Sequence, residues 1–159
     1  MGLFGTRFRK LKMMAPLSGK VVPITEAPDS VFSNKVLGDG VAVIPSSGKV
    51  LSPVSGTIVQ IAHSLHAICL EGDDGAEILI HLGIDTVSLE GKGFTCCVRE
   101  GQHVVAGEKL MEMDLELIKT KGLSTVSPCI ITNLDRMKDL SMKYGDAVAG
   151  ETVVMTYKG

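Results

Sequence analysis

Short runs of Val, Ile and Leu, each cut off by Gly, Pro or Asp, govern what this chain can fold into. Val41-Ala42-Val43-Ile44, Ile58-Val59-Gln60-Ile61, Ile78-Leu79-Ile80 and Val153-Val154-Met155 are the clearest of them. Turn signals recur roughly every 8–12 residues, which is the spacing of an all-β sandwich or barrel. Two stretches carry a helical pattern instead. Leu115 to Lys119 follows Asp114, a candidate cap, and Leu134 to Tyr144 follows Asn133, with Leu134, Met137 and Leu140 at spacing three. The expected architecture is an antiparallel β-sandwich or distorted barrel with one or two short helices.

The chain also repeats itself. Pro16-Leu17-Ser18-Gly19-Lys20-Val21-Val22-Pro23-Ile24 matches Pro53-Val54-Ser55-Gly56-Thr57-Ile58-Val59-Gln60-Ile61, with Pro, Ser, Gly, Val and Ile coinciding, and Val105-Ala106-Gly107-Glu108 is echoed by Val148-Ala149-Gly150-Glu151. So few copies do not make a solenoid. They imply a duplicated β-motif folded into one pseudo-symmetric body.

With 159 residues the chain suits a single domain. Trp is absent and aromatics are 4%, so the core must be built from aliphatic side chains and Met. The net charge of −2 argues against nucleic acid as a partner. That charge is uneven: residues 1–12 carry Arg7, Arg9, Lys10 and Lys12 and no acid. Residues 1–12 read as a basic tail, and residues 13–159 as the folded domain. Phe4, Phe8 and Leu11 would form one stripe of a helix, which suggests contact with a membrane surface; the alternative is a solvated, disordered leader. The four cysteines, Cys69, Cys96, Cys97 and Cys129, form no CxxC pair and read as reduced thiols with packing roles in a cytoplasmic protein. No secretory apolar segment follows the basic start, and no run is long enough to span a bilayer.

The segment from His66 to His81 carries the chemistry. Gly72-Asp73-Asp74-Gly75 is a strong turn signal between the apolar runs Ala67–Leu70 and Ile78–Ile80. A hairpin with Asp73-Asp74 at its tip sets His66 directly opposite His81 on one face, with Cβ atoms about 4.5–5.5 Å apart. Two facing imidazoles can bind a metal, exchange a proton, or hold an anion between a nucleophile and a donor. His63 and His103 read as surface residues.

At these residues the chain resembles the glucose-type IIA components of the bacterial phosphoenolpyruvate-dependent sugar phosphotransferase system. Gly75 to Val87 carries the family signature, an apolar strand followed by His81-Leu82-Gly83-Ile84-Asp85-Thr86-Val87. Leu37-Gly38-Asp39-Gly40-Val41-Ala42, Gly91-Lys92-Gly93-Phe94, Ser124–Asn133 and Val148-Ala149-Gly150-Glu151-Thr152 add further matches. The resemblance implies a phosphoryl carrier, a transferase subunit of a multi-protein system and not a stand-alone enzyme. His81 would accept the phosphoryl group from the phosphocarrier HPr and pass it to a cysteine of the IIB domain of an IIB/IIC sugar permease. His66 would hydrogen-bond the phosphoryl group. Ser64 stands where the family commonly has Thr and keeps its hydroxyl, Asp85 matches a family aspartate, and Gly83 lies where backbone meets phosphate. By family position, Val31, Phe32, Val36, Leu37, Ala62, Leu65, Leu79 and Val87 are candidates for an apolar docking rim, about half of them expected to be core. Leu65 replaces a commonly polar residue. No cofactor is required on this reading. The resemblance leaves room for zinc on His66 and His81 completed by a partner, and for metabolic enzymes or permeases as regulated partners.

Two other classes compete. A zinc peptidase of duplicated-β type would use His-x-x-x-Asp, which His81 and Asp85 satisfy, plus a later His-x-His, which the sequence lacks. A biotinyl or lipoyl carrier would share the strand motif Val105–Leu110, but Met111-Glu112-Met113 offers no lysine for modification.

Overall fold

Alternation of apolar and polar residues places strands such as Ala67–Gly72 and Glu77–His81 with one face inward. The computed structural model describes residues 9–159. In chain order the strands are β1 (Lys10–Met14), β2 (Gly19–Pro23), β3 (Asp39–Pro45), β4 (Lys49–Leu51), β5 (Gly56–Ile61), β6 (Ala67–Gly72) and β7 (Glu77–His81), then β8 (Phe94–Cys96), β9 (His103–Val104), β10 (Lys109–Met113), β11 (Ser127–Ile131), β12 (Lys138–Met142), β13 (Gly145–Ala147) and β14 (Val153–Lys158). Two short helices accompany them, α1 (Ser30–Ser33) and α2 (Leu115–Thr120). All strand pairs are antiparallel. No helix among the described residues is long and apolar enough to cross a membrane.

The strand order states the duplication. One sheet runs β13-β2-β3-β11-β7-β6-β5-β9, and two small sheets run β1-β14-β12 and β4-β10-β8. The order reads alike from both ends, with β2 answering β5, β3 answering β6 and β11 answering β7. The repeated segments exchange equivalent bonds. Met14 N–H reaches the Pro53 carbonyl at 3.0 Å, and Leu51 N–H reaches the Pro16 carbonyl at 2.9 Å. Ala149 N–H bonds the Ser18 hydroxyl at 2.9 Å as Ala106 N–H bonds the Ser55 hydroxyl at 3.0 Å. The repeated glycines are required by close approach. A Cβ on Gly19 would lie 2.1 Å from the Ile44 carbonyl oxygen, and one on Gly56 would lie 2.3 Å from that of Glu71.

The main core contains Met13, Leu17, Ile58, Ile68, Leu70, Ile78, Ile80, Leu110, Met111, Ile118 and Tyr157, all essentially without exposure. A second, smaller cluster lies on the outer face of the large sheet. There Val22, Ala42 and Ile130 are covered by Ile24, Ala27 and Phe32 from the segment that ends in α1. β11 is buried at every position because it lies between these two clusters.

Three sequence expectations change. The helix expected over Leu134–Tyr144 is a turn followed by strand β12, which pairs with β14. Asn133 does not cap a helix: its amide accepts from Glu77 N–H at 2.8 Å and donates to the Gly75 carbonyl at 3.0 Å, anchoring that turn to the histidine hairpin. Pairing with β14 overrides a three-residue apolar spacing that was too short to hold a helix. The second change concerns Lys10, Leu11 and Lys12, read as tail, which lie in β1 opposite Lys158, Tyr157 and Thr156; Phe4 and Phe8 of the proposed membrane stripe lie outside the described residues. The third is the hairpin register, taken up below. The helix expected after Asp114 is α2, with the Asp114 carboxylate accepting from Leu117 N–H at 3.1 Å.

Candidate functional site

β7 alternates so that Ile78 and Ile80 point into the core while Glu77, Leu79 and His81 point out. His81 thus ends a strand on the outer face of the large sheet. His66 does not stand directly opposite it. The ladder pairs Ala67 with His81, Cys69 with Leu79 and Glu71 with Glu77. The register is one residue away from the expected one because the hairpin closes through three residues, with Gly72 N–H bonding the Ala76 carbonyl at 2.8 Å and Gly75 at φ +95°. On a continued strand that slip would send His66 to the other face. The strand instead begins at Ala67. His66 sits in the preceding turn, just after Leu65, whose φ is +60°. The two imidazoles meet edge to face, with centroids 5.2 Å apart, and Leu82 N–H bonds the His66 carbonyl at 2.7 Å.

His81 Nδ1 lies 2.7 Å from the Gly83 carbonyl. A carbonyl only accepts, so Nδ1 carries the proton and Nε2 keeps its lone pair. Burial lowers the pKa of His81 from its ordinary 6.5, against the opposing pull of the Gly83 carbonyl, Asp29 and Asp85. Burial, and then the charge of His81, lowers that of His66. Both rings are therefore neutral at pH 7. His66 Nδ1 is buried without a partner. An unpaired buried lone pair is tolerated more readily than an unpaired buried N–H, so the proton belongs on Nε2, where it can be donated outward.

The other expected residues fall around this pair. Ser64 is half-buried in the turn that carries His66. Gly83, φ +78°, is buried, and Asp85, φ +61°, is exposed at the head of the 3-10 turn Thr86–Leu89. Of the rim candidates, Phe32 is buried and places its ring 5.0 Å from that of His81. Val31, Val36, Leu37 and Val87 are exposed, while Ala62, Leu65 and Leu79 are half-buried. His63 is exposed, and His103 is tied to Asp73 at the far end of the hairpin, at 2.9 Å. Among the described residues no group of three His, Cys, Asp or Glu side chains could hold a metal ion. The two histidines alone supply half of a tetrahedral site.

Sequence reasoning missed two contributors. Asp29 caps α1, its carboxylate accepting from Val31 N–H at 2.8 Å, and so sets Phe32 against His81; the run Pro28-Asp29-Ser30 is a start signal for that helix. Ser127 holds Gly83 from 44 residues away; it lies in the family-like segment Ser124–Asn133, but nothing in the sequence pairs it with Gly83.

Comparison with known proteins follows the same lines. The profile of the phosphoenolpyruvate-dependent sugar phosphotransferase system, EIIA 1 family matches residues 11–137. The chain is 47% identical over 152 residues to the PTS system glucose-specific EIIA component of Bacillus anthracis, covering 95% of this chain and 92% of that one. It is 45% identical over 148 residues to the PTS system N-acetylglucosamine-specific EIICBA component of Escherichia coli, covering 92% of this chain and 23% of that longer one. The solved structure of glucose permease IIA from Mycoplasma capricolum superposes with a TM-score of 0.87 at 40% identity, covering 93% of this chain and 96% of that one.

Proposed function

The chain belongs to the phosphoenolpyruvate-dependent sugar phosphotransferase system EIIA 1 family, and on that premise we propose that it carries a phosphoryl group on His81 Nε2 between HPr and the IIB domain of a glucose-type permease. One observation carries the assignment: the Gly83 carbonyl fixes the proton on His81 Nδ1 at 2.7 Å and leaves Nε2 unprotonated on the outer face of the sheet. The fused EIICBA relative supports the IIB/IIC partner, since there a matching segment shares one chain with those components.

The chemistry asks little of the protein beyond placement and charge. As Nε2 attacks phosphorus, the bond from phosphorus to the donor carrier breaks and the new N–P bond forms. Positive charge developing on the His81 ring is stabilised by the Gly83 carbonyl at Nδ1 and by the field of Asp29 and Asp85. His66 donates a hydrogen bond from Nε2 to a phosphoryl oxygen. Onward transfer reverses the N–P bond as a thiolate of IIB takes the phosphorus. Both carriers must reach the same nitrogen in turn, which suits a shallow site rimmed by Val31, Val36, Leu37 and Val87 and unsuited to a closed pocket.

Mass spectrometry after incubation with phosphoenolpyruvate and the general carriers tests this. Phosphohistidine mapped to His81, and discharged by the IIB domain, is the expected result. Label on any other residue overturns the assignment.

A further inference from the structure

Gly83 lies two residues past His81, and both peptide planes that meet at it are clamped by Thr86, by β11 and by the turn before β11. In the first plane, the Leu82 carbonyl accepts the Thr86 hydroxyl at 2.6 Å and Gly83 N–H donates to Ser127 Oγ at 3.1 Å. In the second, Ile84 N–H donates to the Ser124 carbonyl at 3.0 Å, and the opposite end of that plane is the Gly83 carbonyl that receives His81 Nδ1–H at 2.7 Å. Ser127 is fully buried. Its own O–H is committed to the Thr125 carbonyl at 2.9 Å, which aims the oxygen lone pairs at Gly83. The contact is tight: a Cβ on Gly83 would stand 2.6 Å from Thr86 Cγ2 and 2.9 Å from the Ser124 oxygen.

We propose that Ser127 is a positioning residue for phosphoryl transfer, its hydroxyl holding the Leu82–Gly83 peptide so that the Gly83 carbonyl keeps His81 in the Nδ1–H tautomer with Nε2 free to attack. The proposal rests on the reading of His81 as the nucleophile. Without that hydroxyl the Gly83 N–H is left unpaired in a buried site, and a glycine at φ +78° can turn to satisfy it. Such a turn carries the carbonyl away from Nδ1, and the imidazole loses what distinguishes its two nitrogens.

The test compares the full chain with Ser127→Ala and Ser127→Thr, reading the His81 tautomer by nitrogen-15 NMR and phosphoryl acceptance from HPr by rapid quench. The unsubstituted protein and Ser127→Thr, which keeps the hydroxyl, should show a single Nδ1–H tautomer. Ser127→Ala should show a mixture and accept the group about three- to tenfold more slowly, the effect of one neutral hydrogen bond, with the label still on His81. A folded Ser127→Ala with the original tautomer and rate overturns the proposal. Should that variant fail to fold, Ser127→Cys keeps most of the volume with a weak acceptor, and an unchanged tautomer and rate there overturns it equally. Label away from His81 in the unsubstituted protein overturns the underlying reading, and the proposal with it; the position of the label separates the two failures.

Discussion

The two halves of the large sheet are built alike and finished differently. In one half the outer residues Val22, Ala42 and Ile130 lie under Ile24, Ala27 and Phe32, and none of the three is more than 5% exposed. In the other half the outer residues Val59, Cys69 and Leu79 line an open groove edged by Glu71, Glu77 and Thr132, and Val59, the repeat partner of Val22, is 51% exposed. The register carries the comparison to His81. Cys129 of β11 faces Ile80 of β7, so Ile130 stands one step past the centre on its strand as His81 does on its own. One copy of the motif has an apolar residue there and a cover. The other has His81 there, at the edge of a face that is left largely open. The cover still serves the open half, because it ends in α1 and Phe32 packs on the His81 ring. Duplication thus supplies a rigid frame twice and spends one side on stability and the other on access.

The largest expected break in this comparison is His81→Ala, which should abolish phosphorylation in a gel with phosphoenolpyruvate, the general carriers and the purified chain. Full labelling of that variant would move the nucleophile elsewhere. His66→Gln keeps an amide donor and should still accept the group, but an amide cannot shift a proton as charge moves. Chasing the labelled variant with IIB should show onward transfer slowed roughly 100-fold or more, the typical contribution of a positioned proton donor and acceptor.

Opposite substitutions on the two faces sharpen the contrast. Ile130→Ala on the covered face should lower unfolding stability by about 2–5 kcal/mol in a denaturant titration. Leu37→Asp on the open side, where Leu37 is 45% exposed, should leave that titration little changed and slow transfer from HPr about fivefold or more, since a residue central to an interface typically carries over about 1 kcal/mol. Equal stability losses on both faces would mean that the open face is ordinary core.

Acid should act through the open half, because Ile130 cannot titrate. Both site histidines bind their proton less readily when folded than their ordinary value of 6.5. Below about pH 6.5 the unfolded chain therefore binds more protons, and stability rises with pH through that window. The contribution is fully present above 6.5 and is lost as pH falls toward the folded values. Thermal midpoints should drop on acidification from pH 7, and less steeply in His81→Ala. The smallest effect belongs to the far end of the same hairpin. His103→Ala removes an exposed pair with Asp73 and should cost at most about 1 kcal/mol, with unchanged phosphorylation.

Much of this was legible in the residues. Runs of β-branched side chains between turn residues imposed strands, and the repeated Pro-x-Ser-Gly fixed two equivalent corners, because a Cβ on either glycine would stand 2.1 or 2.3 Å from a carbonyl oxygen. Alternation along Ile78-Leu79-Ile80-His81 put the histidine on the outer face. What the chain could not reveal locally was the hairpin closure, since Gly72-Asp73-Asp74-Gly75 allows a two- or a three-residue turn with similar chemistry. Long-range bonds chose between them: Asp73 N–H to the Ser55 carbonyl at 2.8 Å, Tyr157 O–H to Asp74 at 2.8 Å, and Asn133 to Gly75 and Glu77. The apolar spacing after Asn133 lost its helix to β14 in the same way. Local sequence sets which residues can make strands, turns and nucleophiles; the tautomer of His81, the partner of Gly83 and the cover over one face depend on groups brought together from tens of residues apart, and only packing brings those within hydrogen-bond reach.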